Sequence, residues 1–240
     1  RTYQTNGTAT GPFGRGATHA AQMAVLIQGN QRIVRMGDGR RFAFTQQPDG
    51  TFRNTTDGLM QGAVLTEPGG IPTLRWKDGT RWVFGTSVNQ VTKGLTQQID
   101  RNQNTITNTW SGQRITAITG PDGRQLTFAY DVLNRITRVT DPLGRAIVYA
   151  YDAAGNLATV TDPEGGTTRY TYDGANRLTT ISDPTGLVFL QNFYGPSGRV
   201  LRQLQADGSE YRFRYRLSGA GSSGGGCTNL TGNVVSVTLP

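Results

Sequence analysis

Tyr130-Asp131-Val132-Leu133-Asn134-Arg135-Ile136-Thr137-Arg138-Val139-Thr140-Asp141-Pro142-Leu143-Gly144 decides the fold, because the chain repeats it. Tyr151-Asp152 runs through Gly155-Asn156-Leu157 to Asp162-Pro163-Glu164-Gly165. Tyr172-Asp173 runs through Asn176-Arg177-Leu178 to Asp183-Pro184-Thr185-Gly186. A degraded fourth copy runs from Tyr194 through Gly198-Arg199 to Asp207-Gly208. Pro121, Pro142, Pro163 and Pro184 lie 21 residues apart, as do Tyr130, Tyr151 and Tyr172. A fixed period of this length marks a repeat architecture, in which each small unit buries its apolar face only against its neighbours.

Within one unit, Ile147-Val148-Tyr149-Ala150-Tyr151 is β-branched and aromatic, which suits a pleated surface. Tyr149 and Tyr151 are two apart and point to one face. Asp152 to Asn156 reads as a turn, with Asp bonding its own downstream backbone and Gly or Asn accepting positive φ. Leu157 to Thr161 is a second strand. Asp162-Pro163-Glu164-Gly165 has the residue order of a type I turn. The expected fold class is therefore all-β: repeated hairpins forming a continuous spiralling strip. The aromatic pairs Phe128/Tyr130, Tyr149/Tyr151, Tyr170/Tyr172 and Phe213/Tyr215 are expected to stack as ladders between units. Ile115/Ile118, Ile136/Val139, Leu157/Val160 and Leu178/Ile181 are three apart, which strict alternation cannot place on one face. A bulge or a strong local twist in each second strand would reconcile them.

Composition agrees. Hydrophobic residues are 35% of the 240, with 33 Gly and 10 Pro, a balance for short strands and many turns. Lys77 and Lys93 are the only lysines, so the net charge of +8 rests on scattered arginines. No clustered basic run of a nucleic-acid groove is present, and the arginines read as a solvated strand face with stems laid over aromatics. One cysteine, Cys227, and one histidine, His19, exclude a disulfide framework and a His/Cys metal site within the chain. No apolar run is long enough to span a membrane as a helix.

Toward the front the grammar loosens. Asp38-Gly39, Asp49-Gly50, Asp78-Gly79 and Asp122-Gly123 each place a turn just before an aromatic strand. The organisation expected is an irregular opening region over 1–105, repeats of about 21 residues over 106–217, a Gly/Ser-rich loop over 218–228 with Cys227 at its edge, and a truncated further repeat over 229–240, of which Thr231 to Pro240 matches Ala154 to Pro163. The chain reads as a piece of something longer.

Candidate chemistry is sparse. His19 stands without a second histidine or cysteine and reads as a structural hydrogen bonder. Asp100, Asn102 and Asn104 have the oxygen spacing that opens a calcium loop, but the central Gly and terminal Glu are missing, so a hydrogen-bonded turn is expected. Asp131, Asp152 and Asp173 recur at one place and are turn formers. Asn6, Asn54 and Asn229 fit the glycan acceptor pattern. Catalytic residues, metal ligands and cofactors are expected to be none. The residues expected to matter are structural: Tyr130, Asp131, Tyr151, Asp152, Tyr172 and Asp173, with Pro121, Pro142, Pro163, Pro184, Gly144, Gly165 and Gly186.

The Tyr-Asp-x-x-Gly-Asn/Arg-Leu pattern followed by Asp-Pro-x-Gly resembles the YD repeats of the RHS (rearrangement hotspot) family over residues 114–215. Arg1 to Tyr3, Gly11-Pro12-Phe13-Gly14-Arg15-Gly16 and the Asp-Gly-aromatic strands up to Asn104 are similar to the domain that opens many bacterial RHS cores. The resemblance implies a β-strip spiralling into a hollow shell. In bacterial polymorphic toxins and insecticidal toxin complexes such a shell encloses a C-terminal toxin; in teneurins it serves adhesion. It implies a non-enzymatic segment of a secreted or cell-surface protein. Its partners would be the rest of its own longer chain and an encapsulated toxin domain, with no specific nucleic acid. The alternative is an adhesion module that binds cell-surface glycans through its Tyr/Arg-rich strand face. Some members cut themselves at a terminal Asp-Pro-x-Gly region. Asp183-Pro184-Thr185-Gly186 echoes that motif but falls in register with the other Asp-Pro turns, and reads as a turn.

Overall fold

The computed structural model describes residues 2–3, 10–15, 17–19, 21–215 and 234–238. Cys227, the Gly/Ser-rich loop 218–228 and the acceptor sequences at Asn6 and Asn229 lie outside these residues.

The fold is one antiparallel sheet of 22 strands running from Ala24–Gln28 to Val234–Thr238, with no α-helix among the described residues. It is not closed into a barrel: its outermost strands, Thr86–Asn89 and Val234–Thr238, each pair with a single neighbour. From Gln97–Ile99 onward every strand pairs with the next in sequence, so the strip grows by simple meander. No helix among the described residues is long and apolar enough to cross a membrane.

One turn builds nearly every corner. In Asp131–Arg135 the Asp131 N–H donates to Arg135 O at 2.9 Å, and the Asn134 N–H donates back to Asp131 O at 3.1 Å. The fourth residue has positive φ: 63° at Asn134, 82° at Gly144, 90° at Gly165 and 92° at Gly186. This is a three-residue hairpin loop, a type I turn closed by a left-handed residue. The same backbone bonds recur at 36–40, 47–51, 76–80, 100–104, 120–124 and on to 205–209. The Tyr-Asp turn and the Asp-Pro turn are thus one device. Pro121, Pro142, Pro163 and Pro184 take its second position, where their fixed φ is preset. In the Asp-Gly version the carboxylate sits third instead of first: Asp78 Oδ1 accepts from Thr80 N at 2.9 Å, and Asp122 Oδ1 from Arg124 N at 3.1 Å.

The expected bulges are present. Tyr151 pairs with Leu157, but Ala150 pairs with Thr159, so Ala158 is the extra residue. Equivalent shifts place Thr116, Thr137, Thr179 and Leu201 as extra residues. The extra residue returns Ile136 and Val139, or Leu157 and Val160, to a common face.

The front departs from simple meander, and local patterning gave no sign of it. The hairpin Thr86–Asn89/Thr92–Gly94 leaves the growing edge and pairs with Ala24–Gln28, the first strand of the sheet. Two residues later Gln97–Ile99 pairs with Arg81–Val83. Between them the Leu95 N–H donates to Met23 O at 3.0 Å and the Thr96 N–H to Val83 O at 2.8 Å. Residues 92–99 therefore bridge the two sides of the front strands and seal one apolar core: Met23, Val25, Val34, Phe42, Phe44, Phe52, Met60, Ala63, Leu65, Leu74, Phe84 and Leu95. The aromatics of the Asp-Gly strands supply Phe42, Phe44, Phe52 and Phe84 to this core.

A second long-range contact comes from residues 10–19. Pro12 O accepts the Ile136 N–H at 2.6 Å, and the Arg15 N–H donates to Gly155 O at 3.1 Å. Phe13 is buried with Ile136 among Phe128, Tyr130, Val139 and Tyr149. The Gly-Pro-Phe-Gly segment lies on the aromatic face of the repeats.

Candidate functional site: the tyrosine rungs

The repeated tyrosines are the constellation that the sequence singles out, and the structure gives them one shared role. The Tyr130 hydroxyl donates to Ile115 O at 2.7 Å, Tyr151 to Ile136 O at 2.6 Å and Tyr172 to Leu157 O at 2.9 Å. Tyr194 continues to Leu178 O at 2.6 Å, and Tyr215 to Val200 O at 2.8 Å. Each acceptor is the first or second residue of the second strand of the unit before, and Ile115, Ile136, Leu157 and Leu178 are all buried. The bulge turns that residue's carbonyl out of the regular ladder, and the phenol satisfies it. Burial raises the Tyr130 phenol to about 12, against the pull of Arg114 and the Ile115 bond, so the hydroxyl remains a donor over the ordinary pH range.

Trp110 is a rung that sequence reasoning missed. Its indole Nε1 donates to Leu95 O at 2.8 Å, the same reach of 15 residues that joins Tyr130 to Ile115. Its only signal was approximate position: it lies 20 residues before Tyr130, and it pairs with Ile115 across the hairpin as Tyr130 pairs with Ile136.

Arginines cover four of the rungs. Arg135 is held by Asp131 through Nε to Oδ2 at 2.8 Å, and its guanidinium lies 4.3 Å from the Tyr151 ring centre. Arg177, held by Asp173 at 2.7 Å, covers Tyr194 at 4.6 Å. Arg199 covers Tyr215 at 5.0 Å and Arg114 covers Tyr130 at 5.7 Å. Such cation–π contacts add to the packing between units. Arg135, Arg177 and Arg199 are half-buried over their rings, whereas Arg114, Arg138, Arg169, Arg212 and Arg214 are exposed; both parts of the expectation, arginines laid over aromatics and a solvated strand face, are present. The hydroxyls and these guanidinium groups are committed within the sheet, which leaves the tyrosine face a poor platform for stacking sugars.

The aspartates are turn formers. Asp131 Oδ1 accepts from Leu133 N and Arg135 N, both at 2.9 Å. Burial works against ionisation there, yet the bonds and charge of Arg135 hold the carboxyl below its usual range. Asp183 accepts from Thr185 N, Thr185 Oγ1 and Leu187 N at 2.9, 2.7 and 3.0 Å, in the same geometry as its copies. Asp152 departs in its fifth residue: Asn156 replaces arginine, is buried, and donates through Nδ2 to Asp152 Oδ2 and Asn176 Oδ1, both at 2.9 Å. Asp100 likewise closes a turn, taking Asn102 N, Asn104 N and Asn104 Nδ2 at 2.8 Å. Asn54 of the second acceptor sequence is buried, with Nδ2 donating to Ala43 O at 2.8 Å and Oδ1 accepting from Asp57 N at 2.8 Å.

His19 packs between rings rather than bonding as expected: its ring stacks on Phe128 at 6.2 Å and meets Phe13 edge-on at 5.8 Å. Burial above all depresses its pKa to about 4. A neutral histidine in the fold against an ordinary value near 6.5 in the unfolded chain stabilises above pH 6.5 and loses that stability as pH falls toward 4. Between pH 7.5 and pH 5 the loss is about 1–2 kcal/mol. Urea unfolding at the two pH values should show this extra acid sensitivity in the parent and its disappearance in His19→Phe.

The RHS Repeat family matches residues 111–146 and 151–188. No curated protein matches the chain. Among solved structures, the crystal structure of TcdB2-TccC3-TEV is similar at 14% identity, over 79% of this chain and 13% of that one, with a TM-score of 0.39. The Photorhabdus luminescens Tc holotoxin pore carrying a TccC3 mutation is similar at 17% identity, over 79% and 12%, with a TM-score of 0.41. The chain thus spans about an eighth of the length of these chains.

Proposed function

Because this chain is an RHS/YD-repeat protein, we propose that it is a non-enzymatic wall segment of an RHS shell within a longer secreted or surface-exposed protein. The observation that carries this reading is the unbroken register of rungs from Trp110 to Tyr215, each hydrogen-bonded to the unit before it. The repeated tyrosines join units and the repeated aspartates close their own turns, and repetition of this kind makes area rather than a reaction centre. The aromatic face is the side turned toward an enclosed C-terminal segment, a toxin domain if the parent follows the polymorphic-toxin pattern. Docking of Phe13 on Ile136, Phe128 and Tyr149 supports this, since that face already accepts an apolar segment of its own chain.

The test is limited proteolysis of the intact parental protein carrying a C-terminal epitope. The epitope should survive until denaturant unfolds the strip, and digestion as fast as in the unfolded chain would overturn the encapsulation reading. Asp183→Asn should leave any self-processing of the parent unchanged; loss of processing would make Asp183 a catalytic group and end the non-enzymatic reading.

A further inference from the structure

Along one cross-strand row of the front sheet, Phe52, Leu65, Leu74 and Trp82 are successive partners. The first three are buried in the core. In the adjacent row Arg53 faces Val64, Val64 faces Arg75, and Arg75 faces Arg81. By the alternation of strands this second row lies on the opposite face, away from the core. Arg75 and Arg81 are therefore like charges directly opposite one another, an arrangement that destabilises a sheet. Arg101, in the next turn, completes a concavity of about 370 Å³ lined by Arg75, Gly79, Arg81, Arg101 and Gln103.

Among the described residues none of these arginines forms an ion pair, whereas Arg32, Arg40, Arg135, Arg145, Arg177, Arg202 and Arg212 all do. The nearby carboxylates belong to the bordering turns: Asp100 gives both oxygens to its own turn, and Asp78 gives Oδ1 to Thr80 N. Hydrogen bonds within those turns, above all from Thr80 to Asp78 and from Asn104 to Asp100, and then the charge of Arg101 hold both carboxyls below their usual range, so these two aspartates offset Arg101 rather than the facing pair Arg75 and Arg81.

Gln103 marks the same spot independently. It occupies the positive-φ position of the turn at 68°, where the other turns of this kind carry Gly or Asn. Glutamine gains nothing locally from that conformation. What it does there is accept from Arg81 Nη2 through Oε1 at 2.5 Å, which fixes the direction of that guanidinium. Backbone strain that serves to aim a cation is a feature of built sites.

We propose that Arg75, Arg81 and Arg101, with Gln103 as the positioning residue, form a site for a tetrahedral oxyanion, a phosphate or sulfate group. A doubly charged oxyanion supplies the countercharge that the arginine pair lacks, and guanidinium forks match its geometry. The concavity is larger than a bare ion needs, so the oxyanion is expected as an ester on a larger molecule. The site is independent of the shell reading and lies on the opposite face of the sheet from the core.

Inorganic phosphate and inorganic sulfate, each against sodium chloride at equal ionic strength, separate the two sources. Titration calorimetry and the thermal midpoint are the readouts. One or both oxyanions should bind and raise the midpoint beyond chloride, and Arg81→Gln should weaken binding about tenfold. Arg169→Gln, on the exposed repeat sheet, should bind as the parent does. In oxyanion-free buffer Arg75→Gln should raise the midpoint by relieving the like-charge pair, while abolishing the gain from the anion; a purely structural arginine would not reverse sign. Equal midpoints in phosphate, sulfate and chloride, or an undiminished response in the Arg75→Gln/Arg81→Gln double variant, would overturn the proposal. So would a lower midpoint for Arg75→Gln without anion.

Discussion

Tyr151→Ala should destabilise the chain by about 3–4 kcal/mol, the largest loss expected at any single rung, and Tyr151→Phe by about 1–2 kcal/mol. Tyr151 differs from its copies in what it holds. Its hydroxyl lies 2.6 Å from Ile136 O and 3.3 Å from Pro12 O, so one phenol faces both the preceding unit and the front segment. Its ring is capped by Arg135 at 4.3 Å, and its edge packs against Gly14. Removing the hydroxyl leaves Ile136 O without its donor and loosens the approach to Pro12 O, which keeps the Ile136 N–H; removing the ring also opens a cavity beside buried Ile136 and Leu157. Tyr194→Phe is the comparison, because Tyr194 makes the same hydroxyl bond, to Leu178 O, two units further along the strip. Urea unfolding should rank Tyr151→Ala, then Tyr151→Phe, then Tyr194→Phe. Hydrogen exchange should show Ile136, whose N–H is bonded to Pro12 O, losing protection in both Tyr151 variants and keeping it in Tyr194→Phe. Equal effects at Tyr151 and Tyr194 would mean that the front segment draws nothing from the rung.

What was legible in the sequence was what a single unit determines for itself. Asp-Pro-x-Gly names its own turn, because proline presets one dihedral and glycine accepts the positive φ that closes the loop. The bulge could be inferred because Leu157 and Val160 cannot share a face three residues apart without one. The meander followed from short turns between strands. The features that escaped are those set by distant partners. Nothing local to Thr92–Ile99 says that its first half joins Ala24–Gln28 and its second half Arg81–Val83. Trp110 hid because an indole replaces the phenol, although both deliver an N–H or O–H donor at the same reach. The arginines were readable as aromatic covers, but which of them are pinned depends on Asp131 and Asp173 standing four residues earlier in a turn whose geometry brings the pair together. Ring-on-ring ladders were the expected join between units. The join detailed by the structure is hydroxyl to carbonyl, under an arginine at Tyr130, Tyr151, Tyr194 and Tyr215, a contact that period and composition do not encode.

Gly14→Ala should release residues 10–15 from the repeats at a cost of about 3 kcal/mol. An added Cβ would lie 2.5 Å from Gly155 O and 3.1 Å from two ring carbons of Tyr151, while the backbone holds φ at 85°. The blocking atom at 2.5 Å is backbone in the middle of a turn, so it cannot swing aside as a side chain would. The segment must lift, which breaks the Arg15 N–H bond to Gly155 O and the Ile136 N–H bond to Pro12 O, and exposes Phe13. Gly165→Ala separates strain from contact: its φ is 90°, and nothing lies within 4 Å of the added carbon. That variant should lose only the backbone term, about 1–2 kcal/mol. Limited proteolysis gives the sharper reading. Gly14→Ala should be cut rapidly between residues 10 and 19 while the strands from Thr105–Ser111 onward stay resistant, and Gly165→Ala should be cut no faster there than the parent. Because Gly14 and Tyr151 touch, Tyr151→Phe added to Gly14→Ala should cost less than it does in the parent, the Pro12 contact having already gone. Full additivity, or a Gly14→Ala protein cut no faster than the parent, would show that the Gly-Pro-Phe-Gly segment is not fastened to the repeats through that contact.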